Sequence, residues 1–261
     1  LISFAFVINE LSFNAWEAAW NSEHSFGATF ADTEIHPIPP LALNSIADPS
    51  SPVRRIKSLP NFNHSRYHFL KVDISDENSV ENAIKESDPD LIINLAAESH
   101  VDKSIKNPKN FVYSNVVGTF NLLQSSRIHW TNLNISRKKI FKFHHVSTDE
   151  VYGELDKKGQ FNENTAYAPR SPYSATKAAS DHLVKSWYYT YGLPVLISNC
   201  SNNYGPWQYP EKLIPSTIHK AITGQVIPIY GDGSNIREWL HVNDHVNAIL
   251  AVAFKAGKRI S

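Results

Sequence analysis

The sequence predicts an α/β fold, with a Rossmann-like, doubly wound parallel sheet and a partial, smaller substrate-binding domain. Two observations support this prediction. From residue 66 onward, short apolar runs of strand length alternate with segments of helix length, a pattern typical of βαβ units. Polar residues also follow directly after three of the apolar runs, where the carboxyl ends of parallel strands carry active sites.

The elements follow from periodicity and from end signals. The first eight residues are apolar and predict a buried strand rather than a signal peptide, since no basic residue precedes them. Asp76 is a candidate N-cap, Pro108 suits a helix start, and Gly192 with Pro194 suits a helix end. We predict strands over 67–72, 91–95, 140–146 and 195–198, and helices over 76–87, 108–127 and 172–191.

Composition excludes several classes of protein. The 261 residues, with 42% hydrophobic and 19% charged, are enough for a sizeable core and argue against disorder. Lys plus Arg and Asp plus Glu both number 25, so no basic excess indicates a nucleic-acid or membrane partner. Because no apolar run is long enough, we expect no transmembrane helix. The single cysteine, Cys200, fits a reducing, cytoplasmic compartment.

The first fifth of the chain differs from the rest. Residues 1–53 contain no Lys or Arg but six acidic residues, and their second half is rich in proline. This break predicts three parts. They are an atypical N-terminal segment over 1–53, a Rossmann-like domain over 54–198 and a partial second domain over 199–261.

A hydroxyl and two carboxylates follow the predicted strand 140–146. The segment 147–153 reads Ser-Thr-Asp-Glu-Val-Tyr-Gly. Adjacent carboxylates can hold different pKa values, so that one donates a proton while the other accepts one. The alternative interpretation is a polar turn with two solvated acids.

Tyr173 and Lys177 are spaced four residues apart in the predicted helix 172–191. This spacing places the phenol and the ammonium on one face. A nearby cation favours phenolate, and we expect it to lower the pKa of Tyr173. Such a tyrosine can take a proton from an alcohol while a nicotinamide accepts the hydride. A chance pairing is the alternative, because tyrosine and lysine are both common here.

Five motifs occur in the order of a known family. They lie at 95–102 (Leu-Ala-Ala-Glu-Ser-His-Val-Asp), 147–153, 173–177, 201–215 and 231–240. Together they resemble the dTDP-glucose 4,6-dehydratases, which are extended short-chain dehydrogenases/reductases. The resemblance covers roughly 56–257. The adjacent Asp149 and Glu150 favour a dehydratase over the nucleotide-sugar 4-epimerases, which share the Tyr–Lys pair but lack the acid pair.

The resemblance implies NAD-dependent dehydration of dTDP-glucose to dTDP-4-keto-6-deoxyglucose, a lyase reaction. Tyr173 would deprotonate the C4 hydroxyl as hydride leaves, and Thr148 would bond near that oxygen. Glu150 would remove the C5 proton, Asp149 would protonate the departing C6 hydroxyl, and the hydride would return to C6. The same reaction on UDP-glucose is an alternative. By analogy with the family, we expect a homodimer.

The resemblance also implies which residues bind each ligand, and no metal site is among them. Implied catalytic residues are Thr148, Asp149, Glu150, Tyr173 and Lys177. Implied NAD contacts are Asp73, Ile74, Leu95, Ala96, Ala97, Ser114, Tyr173, Lys177 and Asn203. Implied sugar-nucleotide contacts are Ser99, Thr148, Asn202, Lys212, Leu213, Pro228, Tyr230 and Arg237. The guanidinium of Arg237 suits a diphosphate.

The sequence departs from the family near both ends. A dinucleotide-binding fold needs a glycine-rich turn after its first strand, but the only glycine before Gly118 is Gly27. The chain also ends at Ser261, earlier than members of the family. We therefore expect weak NAD binding. A non-catalytic remnant that folds or pairs without cofactor is the second alternative.

Overall fold

The structure is a computed structural model. It describes the backbone of residues 5–8, and it describes residues 70–155, 159–206, 208–229 and 231–255 in full. These residues divide into two compact units. The first unit contains 5–8, 70–201 and 245–255, and the second contains 202–244. Apart from 5–8, the predicted N-terminal segment 1–53 lies outside the described residues.

The first unit is built on a four-stranded sheet in the order β1-β2-β3-β4. Its strands are β1 (Ala5–Ile8), β2 (Leu91–Asn94), β3 (Lys142–Thr148) and β4 (Val195–Cys200). β2, β3 and β4 are parallel, whereas β1 pairs with β2 in the antiparallel direction. The predicted α/β class is confirmed, with one difference at the edge. An antiparallel edge strand on an otherwise parallel sheet is common in such folds.

Helices connect and cover these strands. None of the helices in the described part is long and apolar enough to cross a membrane. In chain order they are α1 (Glu77–Ser87), α2 (Val101–Lys106), α3 (Pro108–Phe111), a π-helix (Val112–Val117), α4 (Gly118–Asn132), α5 (Ile135–Ile140), a 3₁₀ turn (Asp149–Tyr152), α6 (Pro172–Tyr191), α7 (Leu213–Ile222) and α8 (Val242–Lys255).

The parallel strands are buried on both faces, as continuous apolar runs predict. Side chains that alternate along a strand point to opposite faces. Ile92 belongs to a core cluster with residues of α4 and α6, whereas its neighbours Leu91 and Ile93 pack in a second cluster with Ile249 and Ala253 of α8. The sheet therefore has helices on both sides, which is the doubly wound arrangement.

Most predicted elements are confirmed, and the best match is α6. Its first turn is capped by Ser171, whose hydroxyl accepts from the backbone of Ser174, and Gly192 closes it with φ of 72°. Asp76 caps α1 as predicted. The predicted strand 67–72 is wrong over 70–72, the part that the structure describes. The sheet position next to β2 is instead taken by β1.

The predicted helix 108–127 is a composite of α3, the π-helix and α4. In a π-helix each amide bonds five residues back, which a periodicity of 3.6 does not reveal, and such turns often mark functional sites. The π-helix buries Ser114 and Asn115. A helical break therefore places two polar side chains in the interior.

The second unit contains a two-stranded parallel sheet of β5 (Asn202–Tyr204) and β6 (Trp239–His241). α7 follows β5 in the chain. After Lys220 most residues of this unit are exposed up to β6.

We predict that Gly118→Ala destabilises the first unit. A Cβ on Gly118 would lie 2.5 Å from Cδ1 and Cγ1 of Ile74, which is itself buried. Overpacking of this kind costs about 1–3 kcal/mol. Urea unfolding should show this loss. Ile74→Ala is destabilising alone but frees the space, so adding Gly118→Ala to it should cost almost nothing further. Equal costs of Gly118→Ala in both backgrounds would contradict the packing described here.

Candidate active site

Two acids, Asp149 and Glu150, follow directly after the carboxyl end of β3. β3 is the central parallel strand, and Thr148 is its last residue. The Thr148 hydroxyl accepts from the backbone amide of Glu150 at 3.3 Å and so caps the 3₁₀ turn 149–152. It also donates to Asp149 at 3.2 Å. A capped turn after a buried strand is what fixes the two carboxylates.

Tyr173 lies against this turn. Its side chain is buried, and its ring meets Phe111 edge-on with centroids 6.4 Å apart. Its phenol hydrogen-bonds to Thr148, and the charges of Glu150 and Asp149 act on it. The structure thus brings together four of the five implied catalytic residues.

Burial raises the pKa of the Tyr173 phenol well above its ordinary value, and the charge of Glu150 raises it further. The neighbouring Thr148 hydroxyl opposes this rise only in part. The prediction that a lysine lowers this pKa is therefore wrong for the chain without ligands. At neutral pH Tyr173 is a protonated phenol, because desolvation disfavours the phenolate.

Lys177 lies one turn further along α6 and is directed toward β3. Its ammonium donates to the carbonyl of Val146 at 2.8 Å and lies 3.3 Å from Nε2 of His145. Burial lowers the pKa of Lys177 to about 8, while the charge of Asp181 opposes that shift. The amine is therefore still mainly protonated at neutral pH.

Sequence reasoning missed a buried polar chain behind Lys177. The backbone amide of Ala96 donates to Oδ1 of Asn94 at 3.0 Å, which fixes the orientation of that amide. Nδ2 of Asn94 lies 3.1 Å from Nδ1 of His145. Nε2 of His145 lies 3.4 Å from Asp181. Polar residues inside apolar strands, and the continued spacing of four from Lys177 to Asp181, were the available signals.

Asn115 is a second residue that the sequence did not reveal. It accepts from the amide of Glu98 at 2.8 Å and donates to the carbonyl of Glu98 at 3.0 Å. It also donates to Thr176 of α6 at 3.0 Å. Asn115 therefore fixes the loop after β2 to the helix that carries Tyr173.

The residues implied as cofactor contacts occupy different environments. Ser114 is 2% exposed, and its hydroxyl has no hydrogen-bond partner among the described residues. Leu95 follows β2 and is 38% exposed, and Ala96 and Ala97 follow it. Asp73 is exposed and accepts from the amide and the hydroxyl of Ser75. The side chain of Ile74 is in the core.

Most residues implied as sugar-nucleotide contacts belong to the second unit. Asn202 and Asn203 lie in β5, and the carbonyl of Asn203 accepts from Gln208 at 2.6 Å. Lys212 and Leu213 form the start of α7. Pro228 and Arg237 are exposed. Ser99 is exposed in the first unit, and Tyr230 lies outside the described residues.

The chain belongs to the GDP-mannose 4,6 dehydratase family, whose model matches residues 44–259. Individual relatives give a more specific comparison than the family model does. It is 56% identical over 187 residues to dTDP-glucose 4,6-dehydratase of Xanthomonas campestris pv. campestris (strain B100), covering 72% of this chain and 53% of the relative. It is 50% identical over 202 residues to the Escherichia coli enzyme of that name, covering 74% and 56%. The chain thus spans about half the length of these curated relatives.

Solved structures agree with this family. A double mutant of dTDP-glucose 4,6-dehydratase from Streptomyces venezuelae, solved with NAD bound, matches with a TM-score of 0.68 and 40% identity over 77% of this chain and 58% of that one. UDP-glucuronic acid 4-epimerase from Bacillus cereus, also with NAD, matches with a TM-score of 0.66 and 27% identity over 76% and 59%.

Two buried histidines of β3 should make the free energy of unfolding depend on pH. His144 lies 2.8 Å from the hydroxyl of Ser198, and both His144 and His145 are fully buried. Burial lowers the pKa of each to about 4, and the ammonium of Lys142 near His144 and that of Lys177 near His145 lower it further. Between about pH 6.5 and pH 4 the unfolded chain therefore binds more protons than the folded chain.

We predict that the free energy of unfolding falls as the pH drops from 6.5 toward 4. Each histidine contributes a slope of up to about 1.4 kcal/mol per pH unit. Urea unfolding at pH 7, 6 and 5 measures this slope. His144→Gln has one histidine fewer to protonate and should show a shallower slope. A free energy that is constant from pH 7 to pH 5 would show that these side chains are not buried.

Proposed function

We propose that this chain carries the catalytic machinery for the NAD-dependent dehydration of dTDP-glucose to dTDP-4-keto-6-deoxyglucose. The observation that carries the proposal is the meeting of Thr148, Asp149, Glu150 and Tyr173 at the end of β3. Sequence identity of 50–56% to curated dehydratases of this name supports the choice of substrate.

The dinucleotide is proposed to bind at the carboxyl ends of β2 and β3. The best support for this site is the Ser114 hydroxyl. It is buried and has no hydrogen-bond partner among the described residues, as expected for a group that binds a ligand. The proposed contacts are Asp73, Ile74, Leu95, Ala96, Ala97, Ser114, Tyr173, Lys177 and Asn203. When bound, NAD supplies the hydride acceptor for C4 and the hydride donor for C6. Without a glycine-rich turn before Gly118, we expect weak binding.

The first proton transfer belongs to Tyr173. The phenolate form of Tyr173 takes the proton of the C4 hydroxyl and so becomes the phenol, and Thr148, which interacts with the phenol, bonds to the same substrate oxygen. Because burial raises the pKa of Tyr173, a positive charge is needed to make the phenol a base. The ammonium of Lys177 lies on the same helical face.

The two acids then act at C5 and C6. A ketone at C4 acidifies the C5 hydrogen, and the Glu150 carboxylate removes it. Asp149 gives its proton to the C6 hydroxyl, which leaves as water. As C6 is then reduced, C5 regains a proton from Glu150. Thr148 contacts both Asp149 and the backbone of Glu150, so one hydroxyl helps to keep the acid and the base in register.

The second unit supplies the proposed nucleotide contacts. The exposed guanidinium of Arg237 and the ammonium of Lys212 are cations suited to a diphosphate. Asn202, Leu213, Pro228 and Tyr230 complete the proposed set, together with Ser99 and Thr148 of the first unit.

We expect Glu150→Gln to lower turnover of dTDP-glucose in the presence of NAD⁺ by about 10²–10⁴-fold, because a positioned base is lost. The alkali-induced absorbance of the 4-keto product measures turnover. Glu154→Gln is the matched control, since Glu154 is exposed and lies four residues further on. Parallel turnover measurements with UDP-glucose test whether the chain prefers thymine or uracil in the sugar nucleotide.

Two outcomes would count against the proposal. Equal turnover by the Glu150→Gln and Glu154→Gln variants would remove Glu150 from the reaction. A folded wild-type chain that forms no 4-keto product at saturating NAD⁺ would favour the non-catalytic remnant.

A homodimer in the cytoplasm is part of the same proposal. Exposed apolar side chains lie on the helical segments of the first unit, among them Val112, Tyr113 and Phe120, and Tyr189 and Tyr191 of α6. Burying exposed apolar side chains favours association. Sedimentation equilibrium should give twice the chain mass of 29.4 kDa, whereas a monomer mass would contradict the pairing.

A further inference from the structure

Asp181 is a buried carboxylate that the proposed chemistry does not use. It lies on α6, four residues after Lys177, and is fully buried. Its Oδ2 accepts from the hydroxyl of Ser147 at 2.8 Å and from the phenol of Tyr167 at 2.9 Å. A buried charge is kept only when it is paired and hydrogen-bonded. The position of Asp181 therefore needs a cationic neighbour as well as these two donors.

The other carboxylate oxygen, Oδ1, makes no hydrogen bond among the described residues but lies near His145. Because the Asn94 amide donates to Nδ1 of His145, the proton of this neutral imidazole must sit on Nε2. That nitrogen lies 3.4 Å from Oδ1 of Asp181. The burial that holds the pKa of His145 at about 4 keeps the ring neutral at neutral pH. The cation of this cluster is therefore Lys177, whose ammonium lies 3.3 Å from the same nitrogen.

We propose that Asp181 is a positioning residue, namely the buried anion that faces Lys177 across His145 and holds the end of β3 through Ser147. This inference rests on the proposed function, because it assigns Asp181 a part in presenting Lys177 to the Tyr173 site. It adds to that function a residue that lies behind the reacting groups and touches neither substrate nor cofactor.

The charges around Lys177 indicate the direction of the effect. Burial lowers the pKa of its amine, and the charge of Asp181 raises it. Neutral His145 is its other titratable neighbour. Tyr167 and Tyr152 face Asp181, and both stay protonated because burial and the charge of Asp181 raise the pKa of each phenol. Asp181 is thus a fixed anion over the range in which Lys177 titrates.

Asp181→Asn tests the proposal, because the amide oxygen can still accept from Ser147 and Tyr167 while the charge is lost. Side-chain NMR of isotopically labelled lysine gives the pKa of Lys177, whose signal is assigned by its loss in Lys177→Arg. We expect the pKa to fall by one unit or more, as for loss of an opposite charge nearby. Tyr167→Phe, the matched control, removes one hydrogen bond but keeps the charge, and should shift this pKa far less.

An unchanged pKa of Lys177 in folded Asp181→Asn would overturn the proposal. Should that variant fail to fold, ¹⁵N NMR of the wild-type histidines decides. A neutral His145 with its proton on Nε2 supports the order Asn94–His145–Asp181, and a proton on Nδ1 refutes it. Neither readout needs turnover, so a chain with the expected pKa shift but no dehydratase activity would refute the proposed function alone.

The pH dependence of kcat gives a further measurement, which substitution of a purely structural residue would not change. In an active chain, Asp181→Asn should shift the alkaline limb of the kcat profile to lower pH by as much as it lowers the pKa of Lys177. An alkaline limb in the same place as in the wild type would contradict a role through Lys177.

Discussion

The attachment of the end of β3 to α6 is the constraint on which the site depends. Three consecutive residues of the strand each bond to a different residue of the helix. The carbonyl of Val146 accepts from Lys177, the hydroxyl of Ser147 donates to Asp181, and Thr148 bonds to Tyr173. These helix residues are spaced by four, so they form one face. The turn that carries the two acids begins directly after this attachment, and its position follows from it.

The residues around this attachment form two groups that differ in burial and in charge. Toward the interior, His145 is neutral and Lys177 and Asp181 carry opposite charges that offset each other. Toward the strand end, Asp149 and Glu150 are only half-buried, where a substrate can reach them.

Local signals explain what the sequence predicted well. α6 was bounded correctly because Ser171, Pro172 and Gly192 mark its ends, and strand–helix alternation gave the α/β class. The π-helix and the antiparallel β1 were not predicted, since neither has a distinctive local pattern. The raised pKa of Tyr173 was missed because burial is a tertiary property. His145 and Asp181 were missed for a similar reason, since a single sequence does not show which polar residues meet inside a core.

Isotope transfer shows whether the groups at the end of β3 act on one hexose. With dTDP-glucose deuterated at C4, NAD⁺ and the wild-type chain, we expect product deuterated at C6. In D₂O with unlabelled substrate, we expect deuterium at C5, and loss of that incorporation in Glu150→Gln. Deuterium that remains at C4, or deuterium incorporation at C5 that persists without Glu150, would remove these groups from the reaction.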